Sequence, residues 1–329
     1  MKERLLTGDR VTGKLHLGHY IGSLKNRVTL QDQYDSFVFL ADIQALTTHF
    51  EQPDLIRSHA HEIMLDYLAA GINPEHTTLY IQSMIPEIAE LTILFSMFVT
   101  VNSLRHNPTV KAESKSGSLD EMYYGFLGYP VSQAADITIC KATLIPVGED
   151  QLPHLELTRR IVRRFNELYR PIFTEPQALL GESPRLIGTD GEAKMSKSLG
   201  NAIHLDSSTE EIRQRIKRAK TDPARIHAHD PGHPDICPIY SYHLAFASVA
   251  AAAEIREGCQ NGTMGCVACK GQITNVLEQL ISPMREQRAL YAAKPKLIHD
   301  ILMSGTERVR GIAQETMKEV RDAMSLNYF

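Results

Sequence analysis

Short unbroken apolar runs alternate with longer stretches of helical periodicity through the first half of the chain. Residues 36–42 (Ser-Phe-Val-Phe-Leu-Ala-Asp), 78–82 and 142–147 each read as a buried strand. Between the first two, residues 56–70 set Ile56, Ala60, Ile63, Met64 and Tyr67 on one helical face. The run Ile137-Thr138-Ile139-Cys140 also reads as strand-like, with Cys140 an inert core thiol. Strands alternating with helices predict βαβ units, a mostly parallel sheet and right-handed crossovers. From about residue 205 the pattern changes. Residues 210–220 and 272–293 are helical in period, no strand-like alternation follows, and residues 221–238, rich in Asp, Pro, His and Gly, read as a loop. The expectation is an α/β domain followed by an α-helical one.

Composition narrows the class. The 329 residues fit about two domains, and 43% hydrophobic with 22% charged residues excludes disordered and fibrous chains. A net charge of −4 excludes a blanket polycation, so a nucleic-acid partner has to be met by local patches. Two basic stripes offer themselves: Arg159, Arg160, Arg163 and Arg164, beside Glu156 and Glu167, and Arg213, Arg215, Lys217, Arg218 and Lys220. Charge runs are most often solvated faces, so neither stripe is assigned to nucleic acid on sequence alone. The first residues carry no signal-peptide core, and the longest apolar stretch, 244–253, is far short of the roughly 18 residues of a membrane helix. A cytoplasmic protein without a membrane partner is expected. Five cysteines in such a chain point to metal or redox chemistry rather than to a disulfide framework, and tryptophan is absent.

Two motifs carry phosphate chemistry. The apolar Leu5-Leu6 leads into a glycine-bearing loop, Thr7 to His19, and then into a helical face of Tyr20, Ile21, Leu24 and Val28. Gly13 and Gly18 permit close backbone approach of a nucleotide. His16 and His19, three apart, face the same way and can donate to charge developing on an α-phosphate. Far downstream, Lys194-Met195-Ser196-Lys197-Ser198 sits in a glycine-flanked loop, where two lysines suit a mobile clamp on polyphosphate. Separately, Cys237, Cys259, Cys266 and Cys269, spaced C-x21-C-x6-C-x2-C, suit a four-thiolate site for zinc or an iron–sulfur cluster.

With its H-L-G-H and K-M-S-K-S strings the chain resembles the class I aminoacyl-tRNA synthetases. The blocks Tyr129-Pro-Val-Ser-Gln-Ala-Ala-Asp-Ile137, Val147-Gly-Glu-Asp-Gln-Leu-Pro-His-Leu-Glu-Leu-Thr-Arg159 and Thr221-Asp-Pro223 look like the bacterial-type tryptophanyl-tRNA synthetases. The resemblance implies a Rossmann-like parallel-sheet catalytic domain over 1–203 and an α-helical anticodon-binding domain over 204–329, in a homodimer. It implies catalytic roles for His16, His19, Lys194 and Lys197. ATP contacts fall on Arg10, Val11, Thr12, Gly18, His19, Gly148, Glu149, Asp150 and Leu186, and on Lys194, Met195, Ser196, Lys197 and Ser198, with Mg²⁺ on the leaving pyrophosphate. Tryptophan contacts fall on Leu6, Gly8, Gln44, Tyr129, Gln133, Asp136 and Gln151. Indole offers one N–H donor and no acceptor, so an ionised aspartate, which only accepts, is a suitable reader, and Asp136 matches that position. A subset of the family carries a 4Fe–4S cluster at nearly the cysteine spacing seen here, zinc being the alternative.

Arg10, Gln133 and Gln44 depart from the family's usual Gln, Met and His. The reaction implied is tryptophan carboxylate attacking the α-phosphate of ATP, then transfer from the adenylate to tRNA(Trp). Tyrosyl-tRNA synthetase is the rival within the class. Outside it stand a synthetase-like RNA-binding or redox-sensing paralogue without catalysis and another H-x-G-H nucleotidylyltransferase.

Overall fold

The computed structural model describes residues 2–114, 122–180, 186–197, 199–227 and 229–328. Among these, the apolar runs form five strands: β1 Arg4–Arg10, β2 Asp35–Ala41, β3 Thr77–Ile81, β4 Leu144–Val147 and β5 Gln177–Leu180. They lie in the order β3-β2-β1-β4-β5, and every pairing is parallel. In β2, Ser36 through Ala41 are buried without alternation, as expected of a central strand covered by helices on both faces. The chain builds outward from β1 to β3 on one side and then returns to add β4 on the other. That reversal makes a topological switch point between the carboxyl ends of β1 and β4, where open α/β sheets bind ligands.

The strands read at 36–42, 78–82 and 142–147 are thus present within two residues, and the helix read at 56–70 is Pro53–Ala69. Two local readings are corrected. Residues 137–139 are not a strand: they end helix Tyr124–Ile139, with Cys140 as its C-cap. From Val131 onward this helix is buried over most of its circumference, so it shows no amphipathic period, and its β-branched residues mimic a strand. Cys140 is nonetheless a fully buried thiol, as expected. The loop expected from Thr7 begins later, because Thr7 to Arg10 continue β1 in register with Val38 to Ala41. Strand β5 was not foreseen. The first turn after the loop is also unusual: α-helical Leu17–His19 passes through a π-turn at Tyr20–Leu24 before Lys25–Leu30.

The C-terminal half is helical as expected, with Thr209–Arg218, Pro238–Phe246, Val249–Gln260, Cys266–Ala292 and Pro295–Ala323. These helices are not a detached module. Val309, Ala313, Met317 and Val320 join the core that covers one face of the sheet, and Ile273, Leu277 and Ile281 join the core of the other. Arg288 reaches helix Pro53–Ala69, where its Nε donates to buried Asp66 at 2.9 Å. Among the described residues no helix is long and apolar enough to cross a membrane.

Gly305 brings the last helix onto β3. A Cβ there would lie 2.0 Å from the Leu79 carbonyl oxygen, a backbone atom that cannot swing aside. Gly305→Ala is therefore expected to cost about 2–3 kcal/mol through overpacking, seen as a lowered denaturant midpoint. An unchanged midpoint would contradict this packing.

Candidate active site

At the switch point the carboxyl ends of β1 and β4 open into a cavity of about 830 Å³. Its wall gathers residues that the sequence scatters. Leu6, Gly8, Arg10 and Thr12 come from β1 and the following loop, Gly18 and His19 from the first helical turn, and Gln44 from helix Asp42–His49. Helix Tyr124–Ile139 adds Tyr129, Gln133 and Asp136, and the segment after β4 adds Gly148, Glu149, Asp150 and Gln151. Leu186 and Lys194 close the ring. Of the other expected residues, His16, Val11 and Met195 are buried, while Ser196 and Lys197 do not line the cavity, Ser196 bonding to Asn201 and Lys197 to the Gly13 carbonyl. Ser198 lies outside the described residues.

Backbone pairing is what brings the two phosphate motifs together. The Leu17 N–H donates to the Ile203 carbonyl at 2.9 Å, and the Leu205 N–H to the Leu15 carbonyl at 3.1 Å. Asn201 then holds the lysine loop, accepting from the Ser196 N–H at 2.8 Å and donating to Asp190 at 2.8 Å. Lys197 Nζ donates to the Gly13 carbonyl across this junction. Gly13 has φ +116°, a conformation that L side chains rarely adopt.

The two histidine rings lie against each other, tilted by 47°, with centroids 3.8 Å apart. His19 Nδ1 accepts from the His16 N–H at 3.3 Å, which leaves Nε2 to carry the proton and donate. Burial lowers the His19 pKa to about 4, with Asp9 opposing and Lys197 adding to the shift. Burial, then the neighbouring His19 and Lys197, lowers that of His16 to about 2. Both rings are therefore neutral N–H donors at pH 7. Burial also brings the Lys197 ammonium down to about 8, against the pull of Asp9 and Asp66. An arriving polyanion would reverse that shift.

Besides Asp136, Gln44 and Gln133, the cavity is lined by the apolar Leu6, Phe39, Ala41, Ile137 and Ile145. Gly8 allows the Phe39 ring to pack flat against β1, since a Cβ would come within 2.7 Å of a ring carbon. Asp136, 1% exposed, accepts from Gln82 Nε2 at 2.9 and 2.8 Å. Burial raises its pKa to about 7, and the Gln82 hydrogen bond only partly offsets this. Tyr129 is held by a 2.9 Å bond between its hydroxyl and His154 Nε2.

Sequence reasoning missed Gln82 and a second buried group beneath the cavity. Asp9 and Arg27 both line it, with Arg27 Nη1 2.6 Å from Asp9 Oδ2 and the Tyr67 hydroxyl donating to the same oxygen at 2.7 Å. Burial by itself would raise the Asp9 pKa, but Arg27 holds the carboxyl well below the usual range. A lone arginine within a helix has no sequence mark separating it from a solvated one.

Cys237, Cys259, Cys266 and Cys269 come from the ends of three helices and line one small cavity of about 20 Å³ with Ile239, Tyr240, Ile255 and Met264. Burial and then the other three thiols push Cys269 up to about 12. Among the described residues no group of three or more His, Cys, Asp or Glu is set to hold a metal ion. In the basic stripes, Arg163 pairs with Glu156 at 2.9 Å and Glu175 at 3.0 Å, Arg164 with Glu167 at 2.9 Å, and Arg213 with Glu210 at 2.8 Å.

A parallel sheet whose switch point gathers an H-x-G-H turn and a lysine loop around one cavity is the architecture of the class I tRNA synthetases. Residues 2–282 match the family model described as tRNA synthetases class I (W and Y). A tryptophan–tRNA ligase of Thermotoga maritima is 45% identical over 328 residues, covering 99% of this chain and 100% of that protein. One from Lactococcus lactis is 45% identical over 338 residues, covering 100% and 99%. Among solved structures, the Campylobacter jejuni tryptophanyl-tRNA synthetase complexed with ADP and tryptophan superposes with a TM-score of 0.86 at 30% identity, covering 98% of this chain and 99% of that one. The chain belongs to the class I tRNA synthetases of the tryptophan and tyrosine group.

The buried histidines generate a prediction. Their folded pKa values lie below the ordinary 6.5, so the unfolded chain binds more protons and stability falls as pH drops below about 6.5. In NMR titrations the ring signals of His16 and His19 should stay constant between about pH 6 and 8. A midpoint inside that window would contradict the buried, neutral assignment.

Proposed function

We infer that the chain is a tryptophan–tRNA ligase, which activates L-tryptophan with ATP and passes it to tRNA(Trp). The observation that carries the reading is one cavity with a buried carboxylate at its apolar end and two phosphate motifs at its polar end, in a chain 45% identical over its length to ligases of that name. The cavity orders the substrates. The indole enters the apolar end and donates its N–H to Asp136, while Tyr129, Gln133 and Gln151 meet the amino acid's polar atoms. A phenol hydroxyl donates too, so Asp136 excludes rings without a donor, and the shape of the Leu6–Phe39 floor has to exclude tyrosine.

ATP lies across the switch point, its adenine at Gly18 and Leu186 and its ribose near Glu149 and Asp150. Tryptophan carboxylate attacks the α-phosphate in line and pyrophosphate leaves. No side-chain nucleophile is needed, because positioning and stabilisation of phosphate charge supply the rate. His19 Nε2–H donates to the α-phosphate, with the His16 ring packed against it. Lys194 and Lys197 follow the charge onto the leaving group as the loop moves. Mg²⁺ supplies further neutralisation of the pyrophosphate. The adenylate then acylates a terminal ribose hydroxyl of the tRNA.

In this reading residues 1–203 carry catalysis and 204–329 the anticodon contacts. A cytoplasmic homodimer accompanies it.

The four thiols are the part of this reading that reaches furthest. Their convergence on one small cavity supports a 4Fe–4S cluster, with zinc the alternative. Ligation would require each thiol to lose its proton, and the bound group would staple three helices together.

Two measurements test the function. Pyrophosphate exchange into ATP should depend on tryptophan and not on tyrosine, and His19→Ala should lower its kcat by ~10²-fold or more. Exchange driven by tyrosine, or none in a protein that binds tRNA, would overturn the assignment. Anaerobically purified protein should carry iron and acid-labile sulfide, lost in the Cys266→Ser/Cys269→Ser double variant. Zinc in their place selects the alternative, and metal-free protein that charges tRNA normally removes the cluster.

A further inference from the structure

We infer that Gln82 is a specificity-determining positioning residue, whose side-chain amide fixes the Asp136 carboxylate as an oriented acceptor for the indole N–H. The inference rests on the tryptophan reading above and deepens it. Gln82 opens the single turn Gln82–Met84 directly after β3, so the sheet sets where its backbone stands, and its side chain is 2% exposed.

Both ends of the amide are committed. Oε1 accepts from the Gln44 N–H at 3.2 Å, and Nε2 lies 2.9 and 2.8 Å from the two Asp136 oxygens. A backbone N–H can only donate, and so the amide cannot flip: the acceptor end must face Gln44 and the NH₂ must face Asp136. The turn itself is tied down by Asp42. Its Oδ1 accepts from the N–H groups of Ser83 and Ile43 at 2.9 Å each, and Ser83 Oγ donates to Oδ2. Helix Asp42–His49, the turn after β3 and helix Tyr124–Ile139 thereby meet at one amide.

Gln82 satisfies one side of each carboxylate oxygen and leaves acceptor capacity toward the cavity, which Asp136 lines. Among the described residues Asp136 makes no ion pair, so this amide is what the structure offers the charge. A ring that enters without a donor leaves a buried carboxylate short of a partner, which is the costly case. The titratable groups facing Asp136 are Asp42, Tyr80 and Cys140. Burial holds Tyr80 well above its ordinary value and Cys140 at about 12, so both stay protonated near neutrality.

The test uses full-length protein and direct tryptophan binding, read from the ligand's own indole emission, since the chain contains no tryptophan. Wild-type affinity should improve as pH rises through about 7, where Asp136 ionises. Gln82→Met, which keeps length and burial but removes the donor, should weaken tryptophan binding about tenfold. It should also shift the pH midpoint to the alkaline side, because a hydrogen bond favouring the ionised form is gone. ATP KM and kcat at saturating tryptophan should stay within about twofold, a split that general loosening of the fold would not give. Should Gln82→Met fail to fold, Gln82→Asn keeps the amide but falls a methylene short of Asp136, and should show the same weakening and alkaline shift. Wild-type affinity and an unmoved midpoint in the folded variant overturn the inference. A wild-type protein that never binds tryptophan overturns the ligase reading instead.

Discussion

A buried carboxylate that makes no ion pair among the described residues is the constraint on which the rest of this structure turns. Taking such a group out of water is costly unless hydrogen bonds replace its hydration, and Asp136 obtains that replacement from Gln82. The requirement propagates outward. Gln82 has to be immobile, so its turn is pinned through Asp42 to the next helix and through β3 to the sheet. The helix carrying Asp136 has to be immobile too, and it shares a core with the C-terminal helix, where the Thr316 hydroxyl donates to the Ile139 carbonyl at 3.0 Å. A polar group kept in this way is a demanding recognition element, because a wrong occupant leaves it unpaired.

The polar end of the cavity follows a different logic. Burial keeps both histidines neutral, and it lowers Lys197 to about 8, so that ammonium stays mostly charged at pH 7. The chain as a whole is acidic, with a net charge of −4. Attraction for polyphosphate is therefore created locally, by two loops fastened together through Leu15, Leu17, Ile203 and Leu205.

The H-L-G-H and K-M-S-K-S strings and Asp136 stood out in the sequence as unusual strings of residues, and the fold gathers them around one cavity. The central strands were legible because a short, unbroken apolar run bounded by polar turns fits a strand buried on both faces. What escaped had physical reasons. Residues 137–139 imitate a strand since a helix buried over most of its circumference loses its period. Strand β5 is short, with Gln177 and Leu180 exposed, so it carries no apolar run to notice. Gln82 looks like any polar residue ending a strand, and the Asp9–Arg27 pair joins residues whose partnership only the fold creates. The cysteine spacing was read as a four-thiolate metal site; the four thiols do line one cavity, but among the described residues no group of three or more His, Cys, Asp or Glu is set to hold a metal ion.

The most direct measurement is a crystal structure of the protein with tryptophan bound. The account predicts the indole nitrogen within about 3 Å of an Asp136 oxygen, with the Gln82 amide still on the far side of that carboxylate. An indole ring seated elsewhere, or one whose nitrogen points away from Asp136, would contradict it.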